Sequence, residues 1–354
     1  MTWRTGHALL AGAILSCASV PTVAAPQNLF TKVADIPLGE KTSRFDYLSF
    51  DSSSGLLYIS KMGSAKLLIF DTRRSMLVSE MDGFPKVTGV LAVPELHRVY
   101  ASVPGAGLGA SLSVGLGMAS LSSGHGGVAI LDTQSSKEIA RLPGGVFPDG
   151  IAYDPDDKRI FVSDELGGAV EVIDVTTDKV IARIAAGGEV GNVQYDPATG
   201  MIYAPVQSHN QMVVIDPKTA QVSAHFALPG GEHPHGLRIA RGAAIGYVAC
   251  DGDDHLLVVD LRARKVLGVL PLGHDPDVLA DDPGLKRLYV ASESGSLSVF
   301  DVAIPTMPRK LADVPVGPNA HSLAVDSATH RLYLPLRDLD GKAAIRILEP
   351  VTRP

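Results

Sequence analysis

Seven positions recur at the same place in a repeated phrase: Asp46, Thr88, Asp149, Gly191, His235, Asp277 and His321, spaced by 42, 61, 42, 44, 42 and 44 residues. Most are acids or imidazoles, which would repel or desolvate one another at close quarters unless something compensates. A divalent cation is one candidate partner, with His235, Asp277 and His321 as its ligands. His with Asp and Asn suits Zn, Mn or Cu, while an oxygen-dominated subset suits Ca or Mg. Metal-bound water beside such carboxylates would be a hydrolytic nucleophile, with Glu165 or His321 as candidate general base. The same groups would also take a polar small molecule directly, Arg44 or Arg337 pairing a carboxylate. The candidate ligand-binding set is Arg44, Asp46, Asp149, Asn192, His233, His235, Asp277, His321 and Arg337. For any one of them there is a structural alternative, since an Asp or His in Phe147-Pro148-Asp149-Gly150 or His233-Pro234-His235-Gly236 also satisfies loop N–H groups. Thr88 and Gly191 show that the turn itself does not demand a charged residue.

The elements that must position these residues are strands. Each anchor opens an apolar run, followed by a Tyr or Phe phrase such as Leu56-Leu57-Tyr58, Arg159-Ile160-Phe161 or Arg287-Leu288-Tyr289. A third run then ends in an acid, as in Leu67-Leu68-Ile69-Phe70-Asp71 or Val170-Glu171-Val172-Ile173-Asp174, and a weaker fourth run ends near Gly. β-Branched and aliphatic runs of this kind suit strands covered on both faces, and the closing Asp suits a turn. Four β segments in a period near 42 residues are the signature of β-propeller blades, which bury their faces only against neighbours. The reading is an all-β, seven-bladed propeller. Its last blade lacks a fourth strand at the C-terminus, and Lys32-Val33-Ala34-Asp35-Ile36-Pro37-Leu38-Gly39 matches Lys310-Leu311-Ala312-Asp313-Val314-Pro315-Val316-Gly317, the outer strand of blade six. The N-terminal segment is therefore expected to close the ring and remove an open sheet edge.

In this arrangement the anchors ring one mouth of the central channel. The loops joining second and third strands add Lys61, Asp164, Glu165, Gln207, Asp251, Glu293 and Arg337 to the same face. An insertion at about residues 104–126 in blade two stretches one interval; its Leu108, Leu112, Leu116 and Met118 suit a covering or contact role over the mouth, and a tolerated, disordered insertion is the alternative.

Residues 1–25 read as a secretory signal, with Arg4, an apolar stretch from Ala8 to Leu15 and small residues before Pro26, leaving 26–354 as one domain. Periplasmic or secreted localisation is expected; a lipid anchor on Cys17 is the weaker reading. No other run is long and apolar enough to span a bilayer. With the signal removed, 30 basic against 38 acidic residues give a net charge of −8, which disfavours nucleic acid. Cys250 is then the single cysteine, so no intramolecular disulfide forms. A monomer with a small-molecule or periplasmic protein partner is expected.

The repeats Arg159-Ile160-Phe161-Val162-Ser163 through Val172-Ile173-Asp174-Val175 and Arg287-Leu288-Tyr289-Val290-Ala291-Ser292 through Val299-Phe300-Asp301, with Arg44-Phe45-Asp46-Tyr47 at the first blade, resemble the YVTN-repeat β-propellers and more narrowly the YncE-like exported bacterial proteins. The resemblance implies the fold and no chemistry. Propellers of this kind serve as lactonase-like hydrolases, lyases, redox-partner subunits and binding platforms. The leading expectation is an exported propeller that binds a small ligand, metal ion or periplasmic partner at the funnel. The alternative is a metal-dependent hydrolase or lyase using the same funnel.

Overall fold

The third run of each repeat is buried on both faces, and that burial dictates the architecture: Leu67, Leu68, Ile69 and Phe70 are at most 2% exposed, so sheet must lie against sheet on either side. The computed structural model describes residues 1–2, 29–105 and 126–351. Most of the expected signal segment, with Cys17, and most of the 104–126 insertion lie outside the described residues. Among the described residues no helix is long and apolar enough to cross a membrane.

Seven four-stranded antiparallel sheets make up the described residues. Blade one holds β2(Leu48–Asp51), β3(Leu56–Lys61), β4(Lys66–Asp71) and β5(Met76–Asp82); blade two holds β6(Val90–Val93), β7(Arg98–Val103), β8(Gly126–Asp132) and β9(Lys137–Gly145). Blade three runs from β10(Pro148–Asp154) through β11(Arg159–Asp164) and β12(Ala169–Asp174) to β13(Lys179–Ala185); blade four from β14(Gln194–Asp196) through β15(Met201–Val206) and β16(Gln211–Asp216) to β17(Gln221–Ala227). Blade five has β18(Pro234–Ala240), β19(Ile245–Cys250), β20(His255–Asp260) and β21(Lys265–Pro271), and blade six β22(Pro276–Asp282), β23(Arg287–Ser292), β24(Ser296–Asp301) and β25(Arg309–Pro315). Blade seven pairs β26(Ala324–Asp326), β27(Arg331–Leu339) and β28(Lys342–Pro350) with the N-terminal β1(Phe30–Pro37).

That last pairing is the expected ring closure. Phe30 faces Pro350 and Pro37 faces Ala344, while Arg346 clamps Asp35 through Nε–Oδ1 at 2.7 Å and Nη2–Oδ2 at 2.8 Å. Pro37 and Pro315 both end outer strands, where no ladder bond needs their missing N–H.

The core sits between blades. Leu57, Ile59, Leu68 and Phe70 of blade one pack with Tyr333, Ile345 and Ile347 of blade seven, whereas Tyr58, Leu67 and Ile69 turn the other way onto Val99, Ala101, Ala129 and Leu131 of blade two. Period-two alternation thus sends consecutive side chains into opposite interfaces. Each such large apolar side chain contributes about 1.5–3 kcal/mol when buried. Six of the seven acids ending the third strands accept backbone N–H groups of the following turn: Asp71, Asp132, Asp174, Asp216, Asp260 and Asp301. The seventh, Glu349, meets Arg331.

Close approach of the inner strands narrows the channel. A Cβ on Gly191 would stand 2.4 Å from the His235 carbonyl oxygen, and one on Gly236 2.1 Å from that of Asp277. Thr88 instead spans the gap, its Oγ1 donating to the Pro148 carbonyl at 2.8 Å. Gly and Thr at these ring positions are therefore explained by packing.

Candidate functional site

Three of the ring residues are aimed by bulges. In β10, β18 and β22 the pairing register slips between Pro148 and Ile151, Pro234 and Gly236, and Pro276 and Leu279. The proline in each has no N–H to hold a regular ladder, and the extra residue re-aims the chain. Asp149, His235 and Asp277 sit in those irregularities and line a funnel of about 280 Å³. Asp46 and Tyr47, on the segment leading into β2, join them; Glu165, Gln207, Asp251 and Glu293 come from the loops after second strands, and Arg44, His233 and Asp275 from the rim.

At the base of one wall His321 is fully buried. Its Nδ1 faces Asp277 Oδ2 at 2.8 Å and Glu293 Oε1 at 3.0 Å, and its Nε2 faces the Phe45 carbonyl oxygen at 3.0 Å. A carbonyl and ionised carboxylates only accept, so both ring nitrogens donate and the ring is an imidazolium. Burial pulls its pKa down, but the Asp277 and Glu293 hydrogen bonds prevail and lift it to about 10. Asp277 shows the complement: burial would raise its pKa, yet the hydrogen bonds to His235 and His321 hold it well below the ordinary carboxylate range. Glu293 is likewise held low against burial by His321 and Arg44, whose Nη2 lies 2.5 Å from Oε1. Asn319 Nδ2 donates to its other oxygen.

Across the funnel the balance reverses. Burial lifts Asp46 to about 7, with the His321 charge opposing. Asp149 is pushed well above its usual value by burial and by the charges of Glu165 and Asp46. Glu165 is raised by burial, with His235 and the 3.2 Å hydrogen bond from Gln207 Nε2 working against it. His235, its Nε2 3.4 Å from Asp277 Oδ1, is held well above the usual imidazole range: burial opposes the charge and Asp277 more than restores it. Neighbouring carboxyls are thus driven to opposite protonation states, the arrangement that divides acid from base roles.

Tyr47 stands at the floor. Its hydroxyl donates to Asn192 Oδ1 at 2.6 Å and lies 3.3 Å from Asp149 Oδ2 and 3.5 Å from His235 Nε2. Burial, then the Asp149 charge, keeps the phenol protonated. His233 is on the rim, half-exposed, with Nδ1 2.6 Å from Asp251 Oδ1 and its pKa raised by that bond.

The funnel therefore brings together Arg44, Asp46, Asp149, Glu165, His233, His235 and Asp277, with Asn192 beneath them and His321 behind Asp277. Arg337 is exposed on β27 and does not line the funnel. Lys61 and Asp164, from the same loop set, also turn away: Lys61 Nζ donates to the Leu38 carbonyl at 2.6 Å, and Asp164 Oδ1 accepts the Val146 and Phe147 N–H groups. His321, with both nitrogens committed, has no lone pair for base catalysis, whereas Glu165 does. The residue that sequence reasoning passed over is Tyr47, although it directly follows an anchor. Glu293, read only as a mouth residue, is a partner of His321.

Asp277, Glu293 and His321 each offer a ligand atom, all within 4.8 Å of one another. Asp277 Oδ1 is buried, and its near partner among the described residues is the long 3.4 Å contact from His235 Nε2. The Nε2–H bond to the Phe45 carbonyl orients Nδ1 toward both carboxylates, as second partners of metal-binding histidines do. This mixed N/O set fits a divalent cation, which would take the place of the Nδ1 proton.

Residues 125–227 match the family model of arylesterase, a span under a third of the chain. This is a different family from the YVTN-repeat proteins that the repeats resemble. No curated protein matches the sequence. Among solved structures, a chain of the mitotic checkpoint complex superposes with a TM-score of 0.72 at 10% identity, covering 97% of this chain and 98% of that one. A chain of Kuenenia stuttgartiensis hydrazine synthase gives 0.68 at 15% identity, covering 93% and 98%. At such identities the likeness shows the propeller fold alone.

Proposed function

We propose that the protein is a hydrolase of small neutral esters or lactones, working in the funnel with a divalent cation held by Asp277, Glu293 and His321. The observation that carries this reading is the split among adjacent carboxyls: Asp277 and Glu293 are held ionised, while Asp46, Asp149 and Glu165 are pushed toward their acid forms. The bound cation would supply Lewis-acid polarisation. Glu165, raised and with a free oxygen, would take a proton from an attacking water and return it to the leaving oxygen. The His235 imidazolium faces the cavity, where it would stabilise negative charge developing on the carbonyl oxygen. Asp46, Asp149 and Tyr47 narrow the floor, and a volume of about 280 Å³ admits only a small substrate. The acidic lining disfavours anions. Support also comes from the arylesterase match, whose span supplies Asp149, Glu165, Asn192 and Gln207 to the site. We place this activity outside the cytoplasm, on the signal-like segment at residues 1–25.

The test is a panel of phenyl acetate and simple γ- and δ-lactones with added Mn, Ca, Mg or Zn. Turnover should be lost on chelation, and Glu165→Gln should lower kcat by about 10²–10⁴-fold with KM little changed. Absence of turnover across all substrates and cations would overturn the assignment.

A further inference from the structure

The channel has a second chamber at its other end, also about 280 Å³, formed by the far halves of the inner strands. Leu48, Leu91, Ile151, Leu237, Leu279 and Val325 contribute aliphatic wall. Tyr47 lines both chambers, and its hydrogen bond to Asn192 holds the phenol between them. The charge here is opposite to that of the funnel. Asp281 is neutralised by Arg238, with Nε–Oδ1 at 2.5 Å. That leaves Arg241, exposed at the rim and, among the described residues, without a carboxylate within 4.0 Å. One chamber thus combines aliphatic side chains, set in a lining where polar atoms predominate, with a single uncommitted guanidinium, a group that forks onto carboxylates. Its volume lies just below the range of small-ligand sites, roughly 300–1,000 Å³, which limits it to a short ligand.

We propose that this second chamber binds an amphipathic monocarboxylate, its hydrocarbon chain against the aliphatic wall and its carboxylate on Arg241. The site is independent of the hydrolytic reading of the funnel. The ligand is recognised by one negative charge at the rim and a short apolar tail inside, so an alcohol of equal length should bind more weakly and a cationic amphiphile not at all.

Calorimetry on the whole purified chain with octanoate, octanol and octyltrimethylammonium, each below its aggregation concentration, tests this. Octanoate should bind once per chain and at least about tenfold more tightly than octanol. Arg241→Gln should weaken octanoate about tenfold and leave octanol unchanged. Ser327→Trp, at an exposed position on the rim, should block both ligands. Glu165→Gln in the funnel should alter neither, which separates this site from the hydrolase reading. Thermal midpoints of the two rim variants should match the parent, since both positions are exposed. Octanoate binding that is absent, no tighter than octanol, insensitive to Arg241→Gln, or lost in Glu165→Gln would overturn the proposal.

Discussion

Replacing His321 by Gln should destabilise the metal-free protein more than any other conservative change at the funnel. His321 is fully buried and donates from both ends, to Asp277 and Glu293 on one side and the Phe45 carbonyl on the other. A Gln amide carries no charge and its donors lie on one atom, so it cannot serve both ends. Asp277 and Glu293 would then face each other without the cation between them, left with His235 and Arg44 on their outer sides. Breaking a buried ionic network by removing one partner costs about 3–5 kcal/mol, and loss of two charge-assisted hydrogen bonds at about 1.5–3 kcal/mol each gives a similar figure. With an unfolding entropy of about 2.1 cal/mol/K per residue over 354 residues, that is a fall of roughly 4–7 °C in Tm. The pH dependence follows from the raised pKa. The folded value is about 10 against an ordinary 6.5, so the stabilisation is fully present below about pH 6.5, declines as pH rises and is gone above about 10. Calorimetric unfolding of parent and variant should therefore show the largest gap near pH 6.5 and convergence near pH 10.5. A variant within about 1 °C of the parent at pH 6.5, or a gap independent of pH, would refute the imidazolium assignment.

Asp46→Asn should act in the opposite sense. Its folded pKa of about 7 exceeds the ordinary 3.8, so its contribution is lost as pH rises through 7, and the variant should gain about 2–4 kcal/mol at pH 8 in urea unfolding while matching the parent near pH 4. Arg346→Ala removes the two-pronged clamp on the closing strand and its bond to the Val316 carbonyl; a loss of about 2–4 kcal/mol is expected, with faster amide exchange concentrated in residues 30–37. Gly236→Ala drives a Cβ to 2.1 Å from the Asp277 carbonyl and should cost more than about 3 kcal/mol or prevent folding, whereas Gly268→Ala on β21, with no atom within 4 Å of the added carbon, should be neutral or slightly stabilising.

The blades were legible because each repeats the same burial pattern. The acid ending a third strand accepts turn N–H groups in six blades of seven, and the Tyr or Phe of the second strand is buried in all seven, so the spacing alone assigns them. Ring closure was legible for the same reason, since residues 32–39 copy an outer strand elsewhere in the chain. The site was only partly legible because side-chain direction at the mouth is not periodic. Asp149, His235 and Asp277 point inward by virtue of bulges that spacing does not reveal. Tyr47 directly follows an anchor, and alternation would send it to the opposite face; it precedes the first residue of β2, so strand alternation does not apply there. Arg337 occupies the loop position of Glu165 and Glu293, but β27 runs on to Leu339, nine residues against six in β11 and β23, and the position stays on an exposed strand extension. His330 bonds the fully buried Asp282 of the preceding blade at 2.8 Å, a contact that exists only once blade seven packs on blade six.

The central claim is that groups from separate blades act as one cation-binding pocket, and titration of metal-free protein with Mn²⁺, followed by the loss of the free-ion paramagnetic resonance signal, tests it most directly. One ion per chain should bind to the parent and to the rim variant Asp251→Asn, with affinity reduced at least about tenfold in Asp277→Asn. Absence of binding in the parent, or undiminished binding in Asp277→Asn, would contradict the account.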